Sequence, residues 1–365
     1  MVLISLVPKL YSTSMTQQHN ILDILQEFNL NGNQFQWTSL TAGLINDTFL
    51  VTDEEKQQYI LQRINQNVFK NAGILMDNIN YALPHLKADD YAQITFLPTK
   101  NGENCLKGTD GFWRIMTYIP DSTTYNTTTN THTAFEAGRI VGGFHKLLKK
   151  TEVDLFKDTL PKFHNLAHRA NEFEEALAAS DSEKRQIAKE AIKKAHHFLK
   201  ELDALNNETL PVRICHNDTK LNNMLFSQTT DKALCLIDLD TIMKGYFYYD
   251  FGDAIRTVVN VAPEDEQNHD LITFNTELFE AFVDGLASND SFLTEAEKQS
   301  LPLGAVFMPF IHGLRALTDY LDNNKYYKVA YENQNLDRCL SLFDFAEKAL
   351  EKKDLMHSYI QQKLV

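Results

Sequence analysis

From Phe35 to Ile119, short runs of β-branched and aromatic residues alternate with turn-prone stretches. Phe35–Thr41, Thr48–Thr52 and Gln58–Ile64 read as strands, the last two joined across the polar link Asp53–Lys56 as a hairpin. Ile74, Leu75, Asn78, Ile79, Ala82, Leu83 and Leu86 then recur at three-and-four spacing and predict one helix. Strand-like runs resume at Gln93–Leu97 and Trp113–Ile119, and Pro120 ends the pattern. Beyond a Thr- and Asn-rich loop (121–132) the period becomes helical. Phe135, Ile140, Val141, Phe144, Leu147 and Leu148 share one helix face. Further amphipathic helices are predicted near Ser182–Leu205, Leu271–Leu286, Leu303–Leu321 and Leu336–Lys352. The short apolar runs Val212–Cys215, Asn223–Phe226 and Ala233–Asp238 read as buried strands between them.

This pattern predicts an α+β chain with a small β-rich lobe (21–120), a hinge near Tyr118–Asp121 and a larger, mainly helical lobe (121–365). Residues 1–20 read as a disordered leader: the mildly apolar start has no cationic segment and is interrupted by Pro8, a poor export signal. Met15 is an alternative start to Met1. The length of 365 residues and an apolar share of 43 % suit two lobes with substantial cores and exclude wholesale disorder. The net charge of −14, with no basic patch, disfavours nucleic acid and anionic membranes as partners. No run approaches the roughly 18 consecutive apolar residues of a membrane span. Cys105, Cys215, Cys235 and Cys339 are too dispersed for a disulfide framework or zinc cluster, which points to reduced thiols and a cytoplasmic location. Monomer and homodimer both remain open.

The chemistry concentrates in ICHNDTKLNNMLF, CLIDLD and YYDFGDAIR. Ile214-Cys215 ends a strand, and His216–Asn223 forms a loop feeding the apolar Met224–Phe226. The next strand is expected to deliver Asp238 and Asp240 on one face. Phosphoryl transfer needs a carboxylate to accept the attacking hydroxyl's proton, a cation on the moving group and oxygen ligands for Mg²⁺. Asp218 suits the first role, Lys220 the second, and Asn223 and Asp238 the third, with Asp240 beside them. The spacing H-x-D-x-K-x-x-N is that of the protein-kinase catalytic loop. His216 reads as a buried support of the loop, and Asp250 and Asp253 as caps of the following helix or braces of the loop. In the first lobe, the turn carrying Gly43, Asn46 and Thr48 suits a cover over nucleotide phosphates. The third strand places Gln62 where a phosphate-binding lysine is expected, with Arg63 beside it on the opposite face, so one of the two can reach a nucleotide. Asp77 and Asn80 are alternative helical partners.

HNDTKLNN, IDLDTIMKGYFYYDFGDAIR and GLINDTF…YILQRIN together resemble the aminoglycoside-phosphotransferase-like kinases, most nearly the N-acetylhexosamine 1-kinases. WRIMTYI, FNTELFEAF and RALTDYLDNNKYY extend the resemblance over about residues 35–345. It implies a two-lobed protein-kinase-like fold that binds ATP with Mg²⁺, and transfer of the γ-phosphoryl group to the anomeric hydroxyl of N-acetylglucosamine or N-acetylgalactosamine, a step of amino sugar metabolism. It implies Asp218 as base, Asn223 and Asp238 as metal ligands, Asp240 near metal or sugar, and Arg315 and Tyr326 on the sugar side. Tyr118 and Ile119 would face the adenine. The chain has Leu44 where the family can carry a His before Ile-Asn. Two other readings stay open: a kinase of another small hydroxyl acceptor (an aminoglycoside, choline or methylthioribose), and a kinase-fold binding protein that has lost its chemistry. The intact Asp218, Lys220, Asn223 and Asp238 weigh against the second. Arg315 weighs against a polycationic acceptor, while Tyr246–Tyr249 and Tyr326-Tyr327 leave an aromatic cage for choline open.

Overall fold

Alternating apolar positions on the early strands find their partner in a helix that the sequence pattern did not reveal. The computed structural model describes residues 15–40, 45–205 and 207–365. Helix α1 (Met15–Gln26) and the following Phe28 place Ile21, Ile24, Leu25 and Phe28 against Phe49, Val51, Tyr59, Leu61, Trp113 and Ile115, all buried. Of the leader expected over 1–20, residues 1–14 lie outside the described residues and 15–20 belong to α1.

The strands are β1 (Gln36–Leu40), β2 (Asp47–Thr52), β3 (Gln58–Ile64), β4 (Phe96–Leu97), β5 (Leu106–Gly108) and β6 (Gly111–Thr117). They form an antiparallel sheet in the order β1-β2-β3-β6-β4, with β5 also paired to β6. The register sets Gln62 opposite Arg114 and Arg63 opposite Trp113. Because successive side chains alternate, these two pairs lie on opposite faces. Helix α2 (Ala72–Ala82), capped by Asn71, brings Met76 to the Arg114 side. The chain divides into two compact units: residues up to Pro84 with Ala92–Pro120, and His85–Tyr91 with Asp121–Val365.

The second unit opens with β7 (Ser122–Thr123) and α3 (Thr131–Leu148), followed by α4 (Leu166–Ala179), α5 (Ser182–Ile187) and α6 (Lys189–Glu201). The helix expected over Ser182–Leu205 is thus broken at Ala188, and α4 went unforeseen. Strands β8 (Arg213–Cys215), β9 (Met224–Ser227), β10 (Ala233–Leu236) and β11 (Met243–Gly245) pair as a ladder β10-β9-β7 and a separate pair β11-β8. Helices α7 (Phe247–Val258), α8 (Thr276–Ala287), α9 (Glu295–Leu321), α10 (Gln334–Glu351) and α11 (Lys353–Lys363) complete the unit. Asp250 and Asp253 lie inside α7 and cap nothing; Tyr246 is the residue at its N-cap.

Helix α9 starts with a reciprocal capping box, Thr294 with Glu297, and Glu297 also holds Arg213 at the start of β8. It is long and apolar enough by composition to cross a membrane, and 83 % of its apolar window is buried inside the protein. Gly252 lets α7 approach it: a Cβ there would lie 2.1 Å from the carbonyl oxygen of Gly304. That close crossing sets Asp253 and Arg256 of α7 beside His312 of α9.

Candidate active site

A buried carboxylate fixes the loop that carries the predicted base. Asp250 accepts the backbone N–H of His216 on Oδ2 (2.8 Å) and that of Asn217 on Oδ1 (2.6 Å). Its Oδ2 also meets His145 Nε2 at 2.8 Å, and its carbonyl accepts Thr219 Oγ1. His145, Cys215 and Asp250 lie close enough together to suggest a metal. Both oxygens of Asp250 are engaged by N–H groups, however, and burial pushes the Cys215 thiol well up, so the trio serves as a brace.

His216 is fully buried. Its Nε2 faces the Ile237 carbonyl (2.8 Å) while Nδ1 accepts the N–H of Asp218, the supporting role expected from sequence. Asn217 sits in the left-handed region (φ 63°), an uncommon conformation for a non-glycine residue. Its amide donates to the carbonyls of Cys215 and Thr241. The loop is thus tied to β8, α7 and the turn after β10.

Asp218 projects from this frame. Its Oδ2 accepts Lys220 Nζ at 2.9 Å and Asn223 Nδ2 at 2.8 Å. Asn223 Nδ2 also donates to the Asp218 carbonyl (2.8 Å), which orients the amide and leaves Oδ1 as its outward oxygen. Asp218 Oδ1 accepts no hydrogen bond among the described residues and is the atom available to a hydroxyl. Burial would lower the Lys220 pKa, but the carboxylates of Asp218 and Asp238 outweigh it and hold the ammonium charged. Asp238 therefore lies within electrostatic reach of this pair.

Asp238 and Asp240 are placed differently from the expectation. Strand β10 ends at Leu236, Asp238 adopts a left-handed conformation (φ 61°) and Leu239–Thr241 forms a 3₁₀ turn. Strand alternation therefore does not put the two on one face. Asp238 is half-buried, whereas Asp240 is buried and its carbonyl accepts Thr159 Oγ1. Asn223, with its amide oxygen turned outward, and Asp238, within electrostatic reach of Lys220, offer only oxygen donors, the kind a hard divalent cation takes.

Helix α9 carries Arg315 and the loop after it Tyr326, the pair implied by the family resemblance on the acceptor side. The Arg315 guanidinium stands 4.9 Å from the Phe163 ring and 5.9 Å from each ring of Tyr326 and Tyr327. Asp319 positions that loop by accepting the N–H groups of Tyr326 and Tyr327. Tyr248 and Tyr249 are buried in the core, Tyr248 bonded to Asn207 and Tyr249 stacked on Phe307, while Tyr246 is half-buried against both rings.

In the first unit, Gly43 and Leu44 lie outside the described residues. Asn46 accepts the Asn65 N–H, and Thr48 accepts the Gln62 amide. Arg63 is ion-paired with Asp47 and Asp110, over Trp113. Gln62 holds Arg114, whose Nε and Nη2 donate to its Oε1 at 3.0 and 2.8 Å. Arg114 is 1 % exposed, with Phe96 under its guanidinium. Sequence reading passed over it, although an arginine inside the apolar run Phe112–Tyr118 is itself a signal, since burying a guanidinium demands partners. Of the helical candidates, Asn80 pairs with Asn104. Tyr118 N–H continues the β3–β6 pairing by donating to Gln58, and Ile119 follows it.

This α+β architecture, with its braced Asp-x-Lys-x-x-Asn loop, defines a kinase-like fold. Residues 36–284 match the phosphotransferase enzyme family (APH), and the chain belongs to that family. Its fold is shared by a microcompartment-associated aminopropanol kinase (18 % identity over 92 % of this chain and 98 % of that one, TM-score 0.64). A Plasmodium vivax ethanolamine kinase is similar at 14 % identity, covering 92 % and 90 % of the two chains with a TM-score of 0.61. So is an amicoumacin kinase in complex with AMP-PNP and Ca²⁺ (15 % identity, 93 % of each chain, TM-score 0.58).

Proposed function

We propose that the protein is an ATP-dependent small-molecule kinase that phosphorylates the anomeric hydroxyl of N-acetylglucosamine or N-acetylgalactosamine. The observation that carries the kinase reading is the Asp218 carboxylate, held through Oδ2 by Lys220 and Asn223 with Oδ1 available. Asp218 Oδ1 orients the acceptor hydroxyl and takes its proton. Lys220, kept charged by Asp218 and Asp238, neutralises the oxygens of the moving phosphoryl group. Asn223 and Asp238 would hold Mg²⁺, with Asp240 beside them; when bound, the ion supplies charge neutralisation on the nucleotide phosphates. Asp250 fixes the loop in advance, so little reorganisation is left for the chemical step.

The nucleotide-covering role is assigned to the first unit, with Gly43, Asn46, Thr48 and the Tyr118-Ile119 backbone as its contributions. Arg114, held by Gln62, takes the place of the expected phosphate-binding lysine. Support for the sugar comes from Arg315, a ring-stacked guanidinium whose N–H edge can donate to hydroxyl and carbonyl oxygens.

A coupled ADP-release assay with ATP and Mg²⁺ tests this reading on N-acetylglucosamine, N-acetylgalactosamine, glucose, kanamycin and choline. Phosphorus NMR of the product identifies the phosphorylated position. Turnover of an N-acetylhexosamine to an anomeric phosphate is expected; turnover confined to kanamycin or choline would discard the sugar and keep the kinase.

A further inference from the structure

Next to the catalytic loop, α7, α9 and the segment before α4 bring together three buried side chains with unsatisfied polar atoms. His164 Nε2 meets the Asn217 carbonyl at 3.1 Å, one residue before Asp218, and its Nδ1 has no hydrogen-bond partner. The His312 ring lies 6.1 Å from that of His164, and its Nε2 approaches Asp253 Oδ1 at 3.4 Å without forming a hydrogen bond. Asp253 gives Oδ1 to Arg256 Nε at 2.7 Å and leaves Oδ2 without a partner. His164, His312 and Asp253 are 4 %, 8 % and 0 % exposed. Buried polar atoms are nearly always satisfied, so three orphans in one connected group mark a place where something else supplies the partners. His312 and Arg315 stand at i, i+3 on α9, which carries the group toward the Arg315 guanidinium.

The charges around this group select among acceptors. Arg256 bonds both Asp253 and Glu264, and Glu264 is shared with Arg338. Lys220 pairs with Asp218, Arg256 with Asp253 and Glu264, and Arg338 with Glu264, whereas Arg315 makes no ion pair among the described residues and stands over the Phe163 ring. Asp253 and Glu264 are thus already ion-paired, and Asp319 is engaged by the Tyr326 and Tyr327 N–H groups and the Asn335 amide. The rings that would cage a quaternary ammonium, Phe163, Tyr326 and Tyr327, are already stacked on Arg315. Burial, followed by the neighbouring His312, lowers the His164 pKa to about 3; burial, followed by Arg256, lowers that of His312 to about 4. Both rings are therefore neutral near pH 7, and each can either donate or accept.

We propose that His164, Asp253 and His312 form the acceptor-recognition site, and that it takes an uncharged acceptor presenting an N–H or O–H donor beside a hydroxyl or carbonyl oxygen, and rejects an acceptor bearing an ammonium group. Asp253 Oδ2 accepts the donor, and Arg315 with His312 faces the oxygen. A secondary amide next to hydroxyl groups meets every one of these requirements, so the inference rests on the proposed sugar kinase reading and narrows it.

Matched acceptor pairs differing in charge separate the two claims. N-acetylglucosamine is compared with glucosamine, and 1,2-propanediol with 1-amino-2-propanol, at pH 6.5 where the amines are protonated. ADP release is measured with ATP and Mg²⁺, and thermal protection is measured with AMP-PNP and Mg²⁺. Each uncharged member is expected to exceed its amine at least tenfold in kcat/KM and to protect at lower concentration. His312→Leu is expected to raise the acceptor KM tenfold or more while AMP-PNP affinity is retained, and His312→Gln, which keeps a donor and an acceptor, to restore most of it. Amines matching or surpassing the uncharged members in both assays, or a folded His312→Leu with the wild-type acceptor KM, would overturn the inference. A silent sugar pair with the diol preferred over the amino alcohol would overturn the sugar and leave charge selection standing.

Discussion

Asp250 Oδ1 accepts the backbone N–H of Asn217 at 2.6 Å, and through this bond helix α7 determines where Asp218 points. Asn217 is held in a left-handed conformation that the surrounding bonds impose. In Asp250→Asn, one of the two oxygens facing an N–H becomes an NH₂ group. The expected cost is about 1.5–3 kcal/mol of stability, the range for losing hydrogen bonds to a charged group. The expected loss in kcat is tenfold or more with nucleotide affinity retained. Urea unfolding and steady-state kinetics check both, and unchanged kcat in a destabilised protein would show that the loop keeps its geometry without this anchor.

Arg114 and Gln62 are coupled in a way that a double mutant exposes. Gln62→Leu leaves Nε and Nη2 of a buried guanidinium without that acceptor, at an expected cost of about 1–3 kcal/mol. Adding Arg114→Met removes the buried charge and is expected to recover most of that stability. Nucleotide affinity should not recover, because the proposed phosphate partner is gone. Stability that fails to return would place the effect in packing and not in the buried charge.

The crossing of α7 and α9 depends on Gly252. An alanine Cβ there meets backbone at 2.1 Å, and no flexible side chain can yield to relieve it. Gly252→Ala is expected to cost about 1–3 kcal/mol or more, as overpacking does, with a lowered Tm. Full stability in this variant would show that the two helices separate freely.

Acid should weaken the fold earlier than the carboxylates alone dictate. The ordinary His pKa is 6.5; that of His312 is depressed to about 4 and that of His164 to about 3. Both stay neutral in the folded protein, whereas the unfolded chain takes up protons as pH falls below 6.5. Stability is therefore undiminished above that pH and is lost as pH drops toward 4. At pH 5 the loss is about 1–2 kcal/mol per histidine. The groups facing His312 are Arg256, Asp253, Arg315 and His164, and Arg256 and Arg315 favour its neutral form. His312→Gln should lose about 1–2 kcal/mol less than wild type between pH 7.5 and pH 5 in urea titrations. An equal loss would assign the acid sensitivity to other groups.

The strands of the first sheet other than the three-residue β5 were legible because period-two alternation and turn residues are local signals, and β3 was predicted at its observed bounds, Gln58–Ile64. Helix α7 was not legible. Its polar positions Asp250, Asp253 and Arg256 are buried along with its apolar ones, so the side that reads as solvent-facing in sequence has its partners inside the protein. Of the two roles open to Asp250, cap or loop brace, the structure shows the brace: it accepts backbone N–H groups 33 and 34 residues away in sequence. Asp218, Lys220 and Asn223 were readable because one short loop carries all three. Arg114, His164, Asp253 and His312 come from four separate segments and acquire meaning only through tertiary packing. The error over Asp238 and Asp240 came from extending strand alternation past Leu236, where the chain turns left-handed.

The central claim is that Asp218 is the base of a phosphoryl transfer. It is tested most directly by Asp218→Asn, with kcat measured on whichever acceptor the wild type turns over and Kd measured for AMP-PNP with Mg²⁺. The account predicts that kcat falls by about 10²–10⁴, the usual contribution of a positioned base, with nucleotide Kd within a few-fold of wild type. A variant that keeps near-normal turnover would contradict it.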